Sequence, residues 1–212
     1  MKNHLAYGRI ILRPQAEGQI KKILAIISSP RKGNSTMAAQ AAAKAAGGRA
    51  VFADVNLMKI RPCAACGSCA QKFTCVYDDD AAGLIKKTER AGVVIVAAPV
   101  YFTGVPGPLK VFIDRNQVKW EERQGEERLA RRSFSEVGKT EGGGKKGIII
   151  LTAGHKKARY FRPAESEIRS FFAVNGIRTV LVIRLGGMDE KGGVKKRLPE
   201  IIAAVRKALK NG

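Results

Sequence analysis

The sequence contains no apolar run that approaches the roughly 20 residues needed to cross a bilayer, which excludes a membrane-spanning protein. Residues 1–18 also lack the apolar central region and the small-residue cleavage site of a secretory signal. We therefore expect a cytoplasmic protein without membrane attachment. Its 212 residues suit one domain of ordinary size, or one domain with an appendage.

Acidic residues are scarce, because 18 Asp and Glu stand against 39 Lys and Arg, giving a net charge of +21. Such an excess suits a nucleic acid, an anionic lipid or an acidic protein as partner. The basic residues are scattered rather than grouped, and no nucleic-acid-binding motif is present. A basic nucleic-acid-binding module is therefore the alternative of a different class, and binding of nucleic acid is not favoured.

Cysteine is absent outside one short run with the spacing C-x2-C-x2-C-x5-C, formed by Cys63, Cys66, Cys69 and Cys75. A disulfide framework would need a secreted protein and cysteines spread along the chain. Zinc sites generally use two separate pairs, whereas three thiols in one run are typical of ferredoxins. The spacing therefore favours these four cysteines as ligands of a [4Fe-4S] cluster, although Val76 replaces the usual proline. Zinc and free or redox-active thiols remain alternatives.

Five apolar, partly β-branched runs predict strands over residues 22–28, 50–55, 92–98, 147–152 and 179–184. Segments with helical content lie between and after them, over residues 35–46, 78–91, 108–118, 163–174 and 194–209. Alternation of this kind predicts a parallel sheet, and nearly continuous apolar strands predict that both of its faces are covered. We expect a doubly wound α/β domain over residues 21–212, preceded by an extension over residues 1–20. Acidic residues 78–80 are interpreted as a cap of the second helix.

Two segments depart from the alternation. A cysteine-rich loop, residues 60–77, follows the second strand. Residues 116–146 hold eight basic and six acidic residues and are long for a connection, so they are interpreted as a charged insertion: a lid, an oligomer arm or a mobile segment.

No P-loop or dinucleotide fingerprint follows a strand. The single G-x-G-x-x-G, residues 142–147, leads into a strand instead of leaving one. The first strand runs into S-S-P-R-K-G-N-S-T, residues 28–36, and then into an Ala-rich helix. Helix N-terminal N–H groups, hydroxyls and a fixed Arg charge can surround a terminal phosphate. The alternative is an ordinary capped helix start with solvated basic residues.

The third strand is followed by P-V-Y-F-T-G-V-P-G-P-L-K-V-F-I-D-R, residues 99–115. Together with S-P-R-K-G-N-S at residues 29–35, this resembles the flavodoxin-like NADPH-dependent FMN reductase superfamily. With the cysteine loop between the two motifs, it is most similar to the iron-sulfur flavoproteins, over residues 22–115. The resemblance implies a five-stranded parallel sheet in the order 2-1-3-4-5 with FMN at the carboxyl ends of the strands. Ligands of open α/β sheets bind there for topological reasons as well.

By position, the resemblance implies that the FMN phosphate is held by Ser29, Arg31, Asn34, Ser35 and Thr36. It implies that the isoalloxazine ring lies against Pro99, Val100, Tyr101, Phe102, Thr103 and Gly104. The opposite side of the ring would meet Thr152, Ala153 and Gly154. No side chain is expected to act as a catalytic acid or base, because flavin and cluster carry the electrons. Arg115 is interpreted as a structural contact.

The resemblance further implies an electron-transfer flavoprotein, a homodimer or homotetramer, that takes electrons from an acidic, ferredoxin-like donor. The electrons would pass to a small acceptor such as oxygen, peroxide or a quinone. The alternative enzyme is an NAD(P)H-dependent FMN or quinone reductase whose cysteines hold no cluster.

Overall fold

In the computed structural model, which describes residues 22–130 and 144–211, five parallel strands form one sheet in the order β2-β1-β3-β4-β5. The strands are β1 (Lys22–Ile27), β2 (Arg49–Asp54), β3 (Val93–Pro99), β4 (Lys146–Thr152) and β5 (Arg178–Leu185). All five lie where the apolar runs predict them, and the predicted strand order is confirmed. The predicted extension over residues 1–20 lies outside the described residues.

Seven helices connect and cover the described strands. They are α1 (Asn34–Ala46), α2 (Ser68–Lys72), α3 (Asp80–Arg90), α4 (Gly107–Asp114), α5 (Gln117–Ala130), α6 (Arg162–Val174) and α7 (Leu198–Asn211). Short 3-10 turns lie at Val55–Leu57, Ala158–Tyr160 and Gly193–Arg197. As predicted, Asp79 caps α3, its carboxylate accepting a hydrogen bond from the N–H of Ala81.

Both faces of the central strands β1, β3 and β4 are covered by apolar side chains, since successive residues of a strand point to opposite sides. In β1, Ile23, Ala25 and Ile27 belong to one buried cluster, and Leu24 and Ile26 belong to the other. The first cluster is completed mainly by α1 and α7, and the second by α3, α4 and α6. The alanines of α1 carry short side chains, which allow the helix to approach the sheet closely.

The predicted helix over residues 108–118 is two helices, α4 and α5, separated at Arg115 and Asn116. The side-chain amide of Asn116 donates to the carbonyl of Phe112 at 2.8 Å, and the amide of Asn175 donates to Asn116 Oδ1 at 3.1 Å. These bonds end α4, and the backbone carbonyl of Asn116 then accepts from Lys119 in the first turn of α5. Helix α5 thus occupies the first part of the predicted insertion, while residues 131–143 lie outside the described chain.

None of the helices in the described parts of the chain combines the length and apolar character needed to span a membrane.

Candidate functional site

A cleft of about 430 Å³ lies at the carboxyl ends of β1, β3 and β4. The chain leaves β1 and β3 in opposite directions across the sheet, and loops that separate at such a point leave space for a ligand. The lining contains ten of the residues predicted to hold FMN: Ser29, Arg31, Asn34, Ser35, Pro99, Val100, Tyr101, Thr152, Ala153 and Gly154. The structure therefore brings three separate motifs to one cleft.

One end of this cleft is the N-terminus of α1, where the first backbone N–H groups have no partner within the helix. Gly33 precedes the helix, and no side chain of the described residues caps it. The first turn contains no acidic residue. Nearby, the hydroxyls of Ser28 and Thr36 are buried without a hydrogen-bond partner among the described groups. Unpaired donors at the positive end of a helix are suited to a phosphate group.

Two of the predicted phosphate residues have other partners for their side chains. The amide nitrogen of Asn34 donates to the carbonyls of Met188 at 3.0 Å and Glu190 at 2.8 Å. Its Oδ1 accepts from the N–H groups of Gly192 and Val194. Asn34 therefore ties the segment after β5 to the start of α1 and offers the cleft only its backbone N–H. The Ser35 hydroxyl is hydrogen-bonded to that of Thr152 at 2.8 Å.

The segment after β5 also lines the cleft, through Met188, Asp189 and Lys191. These residues were not predicted from the sequence, because the Gly186-Gly187 pair before them belongs to no recognised motif. Their position directly after a parallel strand was the available signal, since every such segment starts at the same edge of the sheet. A Cβ at the neighbouring Gly154 would overlap the carboxylate of exposed Asp189, so a side chain there would require that carboxylate to move.

The turn after β3 is a tight hairpin in which Tyr101 and Gly104 exchange backbone hydrogen bonds of 3.1 and 2.9 Å. Phe102 and Thr103 have φ angles of 47° and 68°, in the left-handed region that larger residues rarely adopt. Phe102 is fully exposed beside the cleft, and Ala164 N–H anchors the carbonyl of Thr103 to α6. Phe102, Thr103 and Gly104 themselves do not line the cleft.

A second cavity, of about 280 Å³, is lined by all four cysteines. Cys63 and Cys66 are exposed, whereas Cys69 and Cys75 are partly buried. Short helix α2 carries Cys69, and Gln117, Val118 and Glu121 of α5 form the facing wall. The predicted ligands therefore face one shared space.

The donor set in this cavity suits a polynuclear cation. Burial raises the pKa of the Cys69 thiol, and the negative charges of Glu121, Cys63 and Cys75 raise it further. A cation would offset both effects. Within the described ranges no three Cys, His, Asp or Glu residues converge on the position of one ion. In a four-iron cubane each thiolate binds its own iron, so such ligands surround the group instead of meeting at one point.

Arg115 connects the cysteine loop to the end of α4. Its guanidinium donates to the Arg61 carbonyl at 2.8 Å, to Asp79 Oδ2 at 2.6 Å and to Cys75 Sγ at 3.2 Å. Burial by itself raises the pKa of the Asp79 carboxyl, but hydrogen bonds from Arg115 and from two backbone N–H groups outweigh it, so that pKa is lowered. The structural contact expected for Arg115 is thus a buried ion pair that also contacts a predicted cluster ligand.

Comparison with known proteins identifies one matching family and several similar proteins. The family described as NADPH-dependent FMN reductase matches residues 21–180. An iron-sulfur flavoprotein of Methanosarcina thermophila is 38% identical over 99 residues, covering 45% of this chain and 52% of the relative. One of Archaeoglobus fulgidus is 38% identical over 98 residues, covering 44% of each chain. The matches thus span about half the length of these curated relatives.

Among solved structures, a flavone reductase superposes with a TM-score of 0.65 at 14% identity. The superposition covers 89% of this chain and 62% of that structure. At this identity the similarity establishes the shared fold alone.

Proposed function

The chain belongs to the NADPH-dependent FMN reductase family, and from that membership we propose that it is an FMN-dependent oxidoreductase that also carries a [4Fe-4S] cluster. The observation that carries the proposal is the presence of two cavities in one chain. One has a helix N-terminus suited to a phosphate at the carboxyl edge of the sheet, and the other is lined by four cysteines. The similarity to iron-sulfur flavoproteins supports the second cofactor.

In the cleft, the N-terminal turn of α1 would bind the FMN phosphate through its backbone N–H groups and the hydroxyls of Ser29 and Thr36, with Arg31 adding charge. The strand ends from Pro99 to Tyr101 and from Thr152 to Gly154 would hold the ring between them. The hairpin from Tyr101 to Gly104 would orient the strand end from Pro99 to Tyr101. We assign no side chain a role as catalytic acid or base.

The cysteine cavity would hold the cluster through Cys63, Cys66, Cys69 and Cys75. When bound, FMN supplies one- or two-electron chemistry and the cluster supplies one-electron chemistry, so the pair can convert one kind into the other. The chain contributes the anchoring thiolates, the wall of α5 and the buried guanidinium of Arg115.

For the donor we propose an acidic, ferredoxin-like protein, and for the acceptor a small molecule such as oxygen, peroxide or a quinone. The net charge of +21 and the exposed Lys59, Arg61 and Lys72 around the cysteine loop support an acidic donor. Exposed Tyr101 and Phe102 beside the cleft support a homodimer or homotetramer in which a second copy covers them. We propose the cytoplasm as location, where thiols stay reduced.

A second candidate is an NAD(P)H-dependent FMN or quinone reductase without a cluster. The description of the matching family, which names NADPH as the reductant, favours it. The two candidates differ in the source of electrons and in iron content.

The deciding experiment is flavin and iron analysis of the full chain purified without oxygen, followed by reduction with NADPH or with reduced ferredoxin. Brown protein with one FMN and about four irons per chain, reduced faster by ferredoxin, is the expected result. Yellow protein without iron that NADPH reduces would favour the second candidate. Colourless protein that takes up no FMN would overturn both candidates.

A further inference from the structure

Arg115 is one of the few charged residues that are buried in the described part of the chain, with only 2% of its surface exposed. Burying an arginine costs free energy unless its N–H groups find acceptors. The Asp79 carboxylate, also buried, supplies one acceptor and the opposite charge. This pair alone would neutralise the guanidinium, yet the other terminal nitrogen points to Cys75.

The contacts of Arg115 join the two ends of the cysteine loop. Its Nη1 bonds to the carbonyl of Arg61, two residues before Cys63, and to Asp79, four residues after Cys75. Its Nη2 bonds to the sulfur of Cys75 at 3.2 Å, within the range of an N–H···S hydrogen bond. The side chain therefore holds one predicted cluster ligand in place and puts a permanent positive charge beside it.

We propose that Arg115 is a positioning residue that orients Cys75 and raises the reduction potential of the cluster; the proposal rests on the proposed function. One electron from an external reductant adds one negative charge to the four-thiolate site, and no bond or proton is exchanged. Hydrogen bonds to ligand sulfurs and nearby positive charge stabilise that added charge, and both raise the potential. Arg115 supplies both effects from a site with little water to screen them.

Asp79 works against Arg115 in this arrangement. Its carboxylate lies at 2.6 Å from the guanidinium and cancels part of the positive charge that the cluster would experience. Asparagine at position 79 would keep an oxygen that can cap α3 while it removes the negative charge. Removing the charge of Arg115 and removing the charge of Asp79 should therefore shift the reduction potential of the cluster in opposite directions.

The test uses the full chain with its cluster reconstituted without oxygen. Midpoint potentials are measured by titrating the protein with dithionite in the presence of mediator dyes. Electron paramagnetic resonance monitors the reduced cluster, and the iron content of each sample is determined. The variants are Arg115→Gln, Arg115→Lys and Asp79→Asn. Arg61→Gln is the matched control, because the Arg61 guanidinium stacks on Tyr77 near the cavity and has no bond to a cysteine sulfur.

Arg115→Gln is expected to lower the equilibrium constant for one-electron reduction of the cluster at least tenfold. This corresponds to a decrease of about 59 mV in the midpoint potential. Arg115→Lys keeps the positive charge and should lower this equilibrium constant less than Arg115→Gln does. Asp79→Asn should raise the constant about threefold. Arg61→Gln should change it less than twofold. A purely structural role would lower the iron content without moving the potential of the clusters that form.

Three results would overturn the inference. Clusters that form in Arg115→Gln with the parental potential would show that Arg115 does not tune them. If the Arg115→Gln variant binds no iron, the potential of the Asp79→Asn variant is the test. A potential in Asp79→Asn that is equal to or lower than that of the parent contradicts the proposal. A parent chain that takes up no iron would refute the proposed cluster, and with it this inference.

Discussion

At the scale of single residues, Arg31 is exposed and lines the end of the cleft formed by the N-terminus of α1. Its guanidinium can form charge-assisted bonds to a phosphate, which are stronger than bonds between neutral groups. We expect Arg31→Ala to weaken FMN binding about tenfold, consistent with the loss of one such bond. Quenching of flavin fluorescence in a titration at moderate salt measures the dissociation constant.

Lys32 provides the control for this prediction, since it is an exposed neighbour that is not part of the cleft lining. Lys32→Ala should change FMN affinity little. Equal affinity of the Arg31→Ala variant and the parent would remove Arg31 from the phosphate site.

Glu165 is a buried carboxylate whose pKa is altered by its surroundings. Burial raises the pKa of this group, but hydrogen bonds from Arg169 at 2.8 Å and from Arg184 at 2.8 Å outweigh burial, and the pKa lies below its ordinary value of 4.5. A lowered folded-state pKa stabilises the fold above the ordinary pKa and ceases to do so as the pH falls through the lowered value. Its contribution is therefore complete at neutral pH and lost in acid.

We expect Glu165→Gln to lower the free energy of unfolding by about 1 kcal/mol at pH 7, because both arginines are partly exposed and solvent weakens the ion pairs. The difference from the parent should shrink as the pH falls below 4.5. Urea unfolding at pH 7 and in acid measures it. Glu200→Gln, in the exposed pair with Arg197, should have little effect at either pH, and a pH-independent loss in Glu165→Gln would contradict the assignment.

At the scale of elements, α5 packs against the cysteine loop through a glycine. A Cβ at Gly125 would lie 2.7 Å from Cζ of Phe73, which lies between Cys69 and Cys75. Glycine normally costs a helix about 0.5–1 kcal/mol relative to alanine. Here its lack of a side chain leaves room for the Phe73 ring, so the loss in helix propensity is offset by the contact between α5 and the loop.

We expect Gly125→Ala to gain none of this helix stabilisation and to lower iron uptake, because the Phe73 ring must move. Gly83→Ala in α3, where a Cβ meets no atom within 4 Å, should stabilise the fold by about 0.5–1 kcal/mol. Urea unfolding compares the two. Adding Phe73→Ala to Gly125→Ala should restore the helix gain, and a Gly125→Ala variant as stable as Gly83→Ala would contradict the packing argument.

At the scale of the whole molecule, the net charge of +21 suits attraction of an acidic protein over long distances. Such attraction accelerates association at low ionic strength and is screened by added salt. We expect the rate of reduction by an acidic ferredoxin to fall about tenfold between low salt and 0.5 M salt. Stopped-flow absorbance of the flavin measures this rate.

A small neutral reductant is the control in the same salt series, because it experiences no steering by the charge. Its rate should change little. Flat salt responses for both reductants would mean that the charge does not serve to dock the electron donor and is a solvated surface.

The sequence by itself determined the parts that depend on neighbouring residues. Apolar runs placed all five strands, including the edge strand β2 with its exposed Val51 and Phe52, because strands are rich in apolar and β-branched residues. The motifs at residues 29–36 and 99–104 led to the prediction of a cofactor site, because the residues that carry the family resemblance lie close together in the sequence. The four cysteines were assigned together because they lie within thirteen positions, 63–75.

Only the tertiary structure decided which distant residues meet. It joined Asn34 to residues more than 150 positions away, added Met188 and Lys191 to the cleft, and brought Arg115 to Asp79 and Cys75. It also divided the predicted helix at Asn116, whose amide bonds to Phe112 and Asn175. A polar side chain shows no periodicity that reveals its partner, since its hydrogen bonds form only after the sheet and helices have packed.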